Sequence, residues 1–544
     1  MSEQLANLLF PDVTELPENL LATVPARALA AGCEVTRYAP SPTGFLHIGA
    51  IYAALFSERI AHQTRGTFIL RIEDTDKERE IENGVELIAQ GLAKFGLHVD
   101  EGVLPDMTQV GEYGPYIQSQ RLSLYRACIK ELVRRGFAYP CFCTGEELSA
   151  AREQQELQKI KTGYYGAWAK HRDMSADDVA AALAAGKTFA IRLRANGDGL
   201  KKFQFVDEIK GKLMLTENDQ DAVLLKSDGY PTYHWAHAVD DTFMKTTMVI
   251  RGDEWLPSAP LHVELFARMG WTLPKYAHIA PITKVDGASR RKLSKRKDPE
   301  ANVAFYVAAG YPKDAVVEYL LNLANSSFED WRAANPDAPY ADFKIDLSKA
   351  NTSGALFDLV KLNDISKRIV ARMSVDEIFE ALQKWAAEFD LDFSARLEAA
   401  PEYVKAILGI ERDNEKRRKD LAKWSDAPAQ LAFFFDELYV ADAYEWKSSE
   451  VAKSVLENYA PDLSVGAEKW LENLRVFAEV QGFAADTKTF KAAPEKYRGH
   501  IGDVAGVLRM ALTKRTNTPD LYEMMTVMGA DRVNARLQTA VKSI

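Results

Sequence analysis

The sequence predicts an α/β protein: a parallel-sheet core of alternating strands and helices, an α+β insertion inside it, and an all-helical C-terminal region. Three observations predict this. Strand, helix and strand patterns follow one another between residues 34 and 72, the signature of a βαβ unit. The same alternation resumes after residue 222, following an interruption. Beyond about residue 350 the strand signals nearly vanish and helical periodicity takes over. A chain of 544 residues is long enough for several domains, each with its own core, so neither disulfides nor metals are needed to staple it.

Taken in order, residues 1–33 show no clear amphipathic repeat and read as an N-terminal extension. The first half of the core spans 34–109. Glu34–Tyr38 is β-branched and aromatic, a short strand. Ala39-Pro40-Ser41-Pro42-Thr43-Gly44 is a turn. A helix begins at about Leu46, with Ile48, Ile51, Leu55 and Ile60 near helical spacing, and Gly66 stops it. Thr67–Ile72 is a continuous apolar run of strand length, which suits a buried parallel strand. Residues 110–222 form the insertion, with helices over Ser119–Gly136 and Gly145–Lys161 and strands around Lys187–Arg194 and Lys201–Ile209. The second half of the core, 223–285, carries strands at Ala222–Leu225 and Thr246–Ile250 and a helix near Ala259–Met269. A basic loop opens the 286–350 region. The region 351–544 is helical, with periodic stretches at Val375–Phe389, Ala427–Tyr439, Ala467–Val480, Val504–Leu512, Leu521–Met528 and Ala530–Ile544.

Composition narrows the function. The net charge of −10 argues against a protein that coats nucleic acid non-specifically, while leaving room for local basic patches. No window approaches ~18 consecutive apolar residues, so no membrane span is expected. The N-terminus lacks the basic start of a signal peptide, and four cysteines make no secreted framework. A reducing, cytoplasmic setting is expected. Charge is uneven. Lys284, Arg290, Arg291, Lys292, Lys295, Arg296 and Lys297 face Asp286 alone within 284–297, a local charge of +6. A second cluster, Lys416-Arg417-Arg418-Lys419, falls in a helical region and reads most simply as a solvated face.

Two segments carry chemistry. In Thr36–Ala50 a strand ends, a Pro/Gly turn follows, and His47 sits where a helix begins. Helix N-termini present unpaired N–H groups and a positive dipole end, which suit phosphate. Gly49 lets an adenine ring or backbone approach closely. His47 can donate to phosphate oxygens as charge develops. Alone, the segment also reads as a βαβ turn with an incidental histidine. The second segment is Arg290–Lys297, where Lys292 and Lys295 flank a small polar residue and Gly287 and Ala288 nearby supply mobility. Such a loop can close over a triphosphate and neutralise a leaving pyrophosphate. Alone, it also reads as a nucleic-acid or solvated patch.

Together the two segments resemble the paired motifs of class I aminoacyl-tRNA synthetases: His47-Ile48-Gly49-Ala50 is similar to HIGH, and Lys292-Leu293-Ser294-Lys295-Arg296 to KMSKS. Further motifs narrow the resemblance to the bacterial glutamyl-tRNA synthetases. They are Arg37–Gly44, Arg71–Asp76, Gln118–Arg121, Asp228–His234, Ile250–Trp255 and Leu508–Val533. The resemblance covers nearly everything after residue 33. It implies a Rossmann-like nucleotide-binding core, an insertion that holds the tRNA acceptor end, a stem-contact region after the KMSKS-like loop, and a helical anticodon-binding region.

The residue types suit glutamate in their own right. The substrate has two carboxylates and one ammonium. Arg37 and Arg251 can each fork onto a carboxylate. Glu73 supplies an anion for the ammonium, and Tyr233 can orient a side-chain oxygen. The resemblance implies that these residues form the amino-acid pocket with Ala39, Ser41 and His237, and that Arg251 reads the side chain. It implies a nucleotide site of Thr43, His47, Gly49, Glu254, Leu293 and Lys295, and a catalytic set of His47, Gly49, Lys292, Ser294 and Lys295. Departures are few. Ala50 replaces the second histidine, Leu293 is nearly isosteric with methionine, and His237 stands where many relatives carry asparagine, bringing an imidazole that titrates near pH 6.5 when unperturbed. Some relatives bind structural zinc at a Cys-x-Cys like Cys141-Phe142-Cys143. The downstream segment Tyr164–His171 here offers one histidine and no cysteine, which does not close a tetrahedral site, so zinc is not expected.

The resemblance therefore implies ATP-dependent attachment of L-glutamate to the 3′-terminal adenosine of tRNA-Glu through glutamyl-adenylate, with Mg2+, by a monomer. It also implies that glutamate is activated only when tRNA is bound. The rivals are glutaminyl specificity, a nucleotidyltransferase sharing the HxGH core, and a non-catalytic tRNA-binding paralogue. Arg251 and the helical C-terminus oppose the first, chain length the second, and the intact charged set the third.

Overall fold

The structure, a computed structural model, describes residues 2–294, 296–413, 417–439 and 443–544. Lys295 and Lys416 thus lie outside the described residues. The chain divides into two compact units, 1–305 with 317–358, and 306–316 with 359–544.

The first unit is built on an eight-stranded sheet. Its strands are β1 (Val35–Tyr38), β2 (Thr67–Leu70), β3 (Glu101–Val103), β4 (Gln109–Val110), and, after the strands β5 (Ala138–Cys141) and β6 (Ala190–Leu193), the hairpin β7 (Lys202–Asp207) and β8 (Gly211–Thr216). Then come β9 (Val223–Leu225), β10 (Met248–Gly252), β11 (Lys275–Ile279), β12 (Thr283–Asp286) and β13 (Ser289–Lys292). The order in the large sheet is β4-β3-β2-β1-β10-β11-β7-β8. Strands β3, β2, β1, β10, β11 and β7 run parallel, and β4 and β8 close the edges antiparallel. From β1 the chain moves outward to β2, and from β10 to β11 on the other side. The strand order therefore reverses between β1 and β10, and a crevice opens beyond their C-terminal ends.

The expected first helix is Ile48–Gln63, ended by Thr64, Arg65 (φ +60°) and Gly66. No Cβ fits at Gly66, where it would lie 1.8 Å from the Glu34 carbonyl oxygen. Three differences from the sequence reading follow from long-range pairing. The hairpin β7–β8, read as part of the 110–222 insertion, extends the main sheet through β11. Conversely β9, read as resuming the core, pairs with β6 in a separate three-stranded sheet, β5-β6-β9. A strand's local pattern does not say which neighbour it joins. Residues 1–33 are also more than an extension. Helices Ser2–Leu9 and Pro17–Thr23 pack here, and Ala6, Leu9 and Phe10 are buried among Tyr125, Cys128, Ile129, Leu132 and Val133 of helix Leu122–Arg134. Two turns of helix show only one pass of an apolar stripe, too short for periodicity to register.

In the second unit no strand is assigned among the described residues. Helices Val375–Phe389, Ala467–Val480 and Leu521–Met528 match their expected spans. The stretch expected at Ala427–Tyr439 is broken into Ala427–Leu431, a 3₁₀ turn and Asp436–Tyr439. One core runs from Val370 to Ala540. The unit also takes in 306–316, where Trp385 Nε1 donates to the Ala308 carbonyl at 2.9 Å, so a single cut near residue 350 does not separate the two units. Arg418, read with its cluster as part of a solvated face, is buried and donates to the Ile407 carbonyl at 3.1 Å.

Candidate active site

A cavity of about 1050 Å³ occupies the crevice at the C-terminal ends of β1 and β10. Of the expected residues, Arg37, Ala39, Ser41, His47, Gly49, Glu73, Tyr233, Arg251, Glu254, Lys292 and Leu293 line it. Thr43, Ser294 and His237 do not. Ser294 instead holds its own loop, its backbone N–H donating to Asp298 Oδ2 at 2.8 Å and its hydroxyl accepting from the Arg296 N–H.

His47 caps the helix that starts at Ile48, its Nδ1 accepting the Ala50 N–H at 3.1 Å. A neutral ring that accepts at Nδ1 carries its proton on Nε2. A Cβ at Gly49 would meet that Nδ1 at 3.0 Å. The space the glycine opens is therefore filled by the His47 ring, not held only for a ligand. The basic loop is the hairpin β12–β13, turned at Gly287 (φ +62°). Its +6 count is partly offset by two acids just downstream, Asp298 and Glu300. Arg291 pairs with Asp286 and Asp298, and Lys284 with Asp298 and Glu300. Lys292 Nζ lies 3.1 Å from Glu254 Oε1, both side chains half exposed.

Beneath the cavity lies a buried charge network that the sequence did not announce. Helix Tyr233–Phe243 places Tyr233, His237 and Asp241 at i, i+4 and i+8, one stripe facing the sheet. Asp241 accepts from Arg37 Nε at 3.2 Å and from Arg71 Nη1 at 2.6 Å. Neighbouring Asp240 accepts from Arg121 Nε at 2.7 Å, Gln118 Nε2 at 2.9 Å and the Tyr125 hydroxyl. Desolvation opposes ionisation of Asp241, but Arg37 and Arg71 hold its carboxyl well below the ordinary range. Glu73, bonded to Arg71 Nη2 at 3.2 Å, fares differently: burial pushes it up to about 7 against the pull of Arg71 and Arg37.

His237 differs most from its expected role. Its ring is fully buried behind Tyr233, stacked at 5.7 Å with 15° between the planes. Its Nε2 shares a 2.8 Å hydrogen bond with the Tyr276 hydroxyl, and its Nδ1 lies 2.7 Å from Asp241 Oδ2. Burial holds its pKa down to about 3, so it is neutral where an exposed imidazole would titrate.

Arg251, at the end of β10, is buried and held on every side. Its Nε donates to His278 Nε2 at 3.0 Å, and its Nη1 to the Tyr233 hydroxyl and His262 Nδ1, each at 3.1 Å. Among the described residues no carboxylate pairs with it. Its partners His262 and His278 escaped the sequence reading. The only trace was the density of histidine around 234–278.

The Cys141–Cys143 segment gathers three candidate metal donors. Cys141, Cys143 and His171 bring ligand atoms within 4.8 Å of one another, and both sulfurs lie about 3.5 Å from the Tyr164 hydroxyl. His171 Nδ1 already accepts the Phe142 N–H at 3.2 Å. Cys141 and Cys143 pack with Tyr139, Tyr164, Ala169 and Leu148 as a small apolar core, with Ala169 in the downstream segment where a further ligand was sought. Two thiols and an imidazole fall one short of the four ligands a structural zinc takes.

No helix among the described residues is long and apolar enough to cross a membrane. Residues 34–345 match the catalytic domain of class I tRNA synthetases (E and Q), and residues 377–541 an anticodon binding domain. A glutamate–tRNA ligase of Clostridium perfringens is 46% identical over 98% of this chain and 100% of the relative. One of Sorangium cellulosum is 45% identical over 97% and 99%. The crystal structure of a glutamate tRNA ligase from Elizabethkingia meningosepticum in complex with its amino acid superposes with a TM-score of 0.72 at 28% identity, covering 94% of this chain and 99% of that one. A split parallel core with its crevice between β1 and β10, a helical second unit and full-length relatives of one name agree: the chain belongs to the bacterial-type glutamyl-tRNA synthetases of class I.

Proposed function

We propose that the protein attaches L-glutamate to the 3′-terminal adenosine of tRNA-Glu, using ATP and passing through glutamyl-adenylate. The observation that carries this reading is a buried arginine with no carboxylate partner among the described residues at one wall of the cavity, Arg251, facing the same space as a buried carboxyl, Glu73. Such a space suits a small molecule with an acidic side chain and an ammonium. Full-length relatives named for glutamate support it.

In this reading Arg251 and Tyr233 take the side-chain carboxylate, and Glu73 takes the ammonium. Arg37 keeps its Nη groups for the α-carboxylate while its Nε is tied to Asp241. Ala39 and Ser41 line the pocket. His237 acts indirectly, by backing Tyr233. The α-carboxylate attacks the α-phosphorus of ATP in line, and pyrophosphate leaves. The ribose hydroxyl of the tRNA then attacks the acyl carbon and releases AMP. Side chains transfer few protons in this sequence, so positioning and charge stabilisation supply the rate. His47 Nε2–H and Lys292, with Lys295, serve the phosphates. Gly49, Leu293, Thr43 and Glu254 shape the nucleotide end, and Ser294 holds the loop. A Mg2+ ion carried by the triphosphate would supply further charge neutralisation there. A monomer in the cytoplasm is the simplest state for such an enzyme.

The test is acid-precipitable charging of tRNA-Glu with labelled glutamate, with glutamine as the rival substrate. Glutamate is charged and glutamine is not. Arg251→Glu reduces glutamate kcat/KM by about tenfold to a thousandfold, the cost of removing a buried charged contact, while ATP binding persists. Charging with glutamine, or unchanged kinetics in the variant, refutes the assignment.

A further inference from the structure

The buried arginines around the cavity are treated in two ways. Arg37, Arg71 and Arg121 are each bonded to a carboxylate of Asp240 or Asp241. Arg251 is bonded to imidazoles. The hydrogen bonds settle the protonation of those rings, because a guanidinium only donates. His278 Nε2 accepts from Arg251 Nε, so its proton sits on Nδ1, which donates to Asp207 Oδ2 at 2.6 Å. His262 Nδ1 accepts from Arg251 Nη1, so its proton sits on Nε2, which donates to His234 Nδ1 at 3.0 Å. Each ring has one accepting and one donating nitrogen, the pattern of neutral imidazole. Burial, joined by the Arg251 charge, also holds His234 down to about 4 and lowers His262 and His278.

The placement is built into the fold. Arg251 and His278 are register partners on the adjacent parallel strands β10 and β11. Asp207 ends β7, beyond β11, and accepts no hydrogen bond from the arginine. It reaches Arg251 only through His278. His262 and His234 come from two helices, Ala259–Met269 and Tyr233–Phe243, on the other side. Four of the five guanidinium hydrogens are thereby assigned, counting a long 3.4 Å contact from Nη2 to the Trp255 carbonyl. The Tyr233 hydroxyl accepts from Arg251, so its own proton is left to donate onward. An acid at position 262 or 278 would fix the arginine equally well but cancel its charge.

We propose that His262 and His278 are positioning residues that fix the Arg251 guanidinium through acceptor-only contacts, so that its charge stays uncompensated and the cavity prefers the acidic side chain of glutamate to the neutral amide of glutamine. This rests on the function proposed above, and deepens it by assigning the preference to charge balance around Arg251, not to the arginine alone.

The experiment compares full-length His262→Asn and His262→Asp, which share a shape and differ in charge. Charging of tRNA-Glu is measured with glutamate and with glutamine at saturating ATP. The expected result is a glutamate KM higher in the Asp variant than in the Asn variant by on the order of tenfold or more, the ATP KM unchanged, and the glutamate-to-glutamine ratio of kcat/KM lowered by a similar factor. His278→Gln and His278→Glu repeat the comparison from the β11 side, and stand in if a 262 variant fails to fold. Equal ratios within either folded pair overturn the proposal while leaving glutamate charging by the wild type intact. Wild-type protein that charges no glutamate overturns the function itself, and this inference with it.

Discussion

Positions 47–49 and 500–502 both carry His-Ile-Gly, and both start a helix capped by the histidine, with Nδ1 accepting from the Ala50 N–H in one and the Gly502 N–H in the other. His500 caps the helix Ile501–Thr513 as His47 caps Ile48–Gln63, and a Cβ at Gly502 would fall 2.6 Å from the His500 ring. A histidine cap over a glycine is thus a feature of helix starts, and the letters alone do not make a site. His47 differs in what surrounds it, a cavity shared with Arg37, Glu73 and Arg251. Glu73 illustrates how far a residue's role depends on such surroundings. Its carboxyl is raised to about 7 by burial, so in the ligand-free protein it is largely neutral below that pH and ionised above it. An amino-acid ammonium needs the ionised form. The KM for glutamate is therefore expected to climb as pH falls through about 7, by up to roughly tenfold per pH unit, as titration of one group requires. Glu73→Gln should raise the KM at pH 8 and flatten this dependence. A KM profile flat between pH 6 and 8 in the wild type would contradict the assignment of Glu73 to the ammonium.

At the scale of elements, what the sequence revealed depended on length and on whether a partner was local. Helix Val375–Phe389 matched its expected span because four turns repeat one apolar face and Ser374 caps it with Glu377. The βαβ unit of β1 and β2 was legible for a similar reason, since its strands pair directly in sequence order. Strands β7 and β9 were visible as strands but were assigned to the wrong sheets, since register with β11 and β6 is set by residues far along the chain. The helices of residues 2–23 were missed outright. They matter energetically all the same, because Phe10 is buried against helix Leu122–Arg134 and Lys130 Nζ donates to the Phe10 and Val13 carbonyls at 2.9 and 2.7 Å. Phe10→Ala is expected to lower the stability of the first unit by about 3–5 kcal/mol, the usual cost of emptying a buried aromatic site. Denaturant unfolding of the full chain, followed by a signal from that unit, reads it. A change below about 1 kcal/mol, typical of a surface position, would mean the helices are dispensable to the fold.

At the scale of the molecule, the chain passes from the first unit to the second at 306, back at 317 and out again at 359. In the sequence the boundary between them falls near 350, where strand signals give way to helical periodicity. No local pattern marks 306–316 as belonging with the later helices, where the Trp385–Ala308 bond and the Trp424 N–H to Gly310 carbonyl bond at 2.9 Å hold it. The two units are therefore not independent along the chain, and truncation is a poor test of their cooperation. A better one uses the intact protein and its reaction. The groups proposed to act on the substrates are engaged internally: Lys292 with Glu254, Arg37 through its Nε with Asp241, and Glu73 with Arg71, its carboxyl raised to about 7 by burial. Glutamate and ATP are both anionic, so bringing them together requires Lys292 to leave Glu254 and Glu73 to ionise while the Arg37 Nη groups meet the α-carboxylate. A tRNA is a large ligand, and the energy of binding it can be spent on that rearrangement. Nuclease-treated protein is thus expected to show negligible glutamate-dependent pyrophosphate exchange, and strong exchange once purified tRNA-Glu is added. Because tRNA docks through its phosphates, the stimulation should fall steeply between low and physiological salt while ATP binding changes little. Equal exchange with and without tRNA would show that the pocket is set by the protein alone. The Lys292–Glu254 pair would then open readily to the nucleotide, as an exposed ion pair of about 0–1 kcal/mol could do unaided.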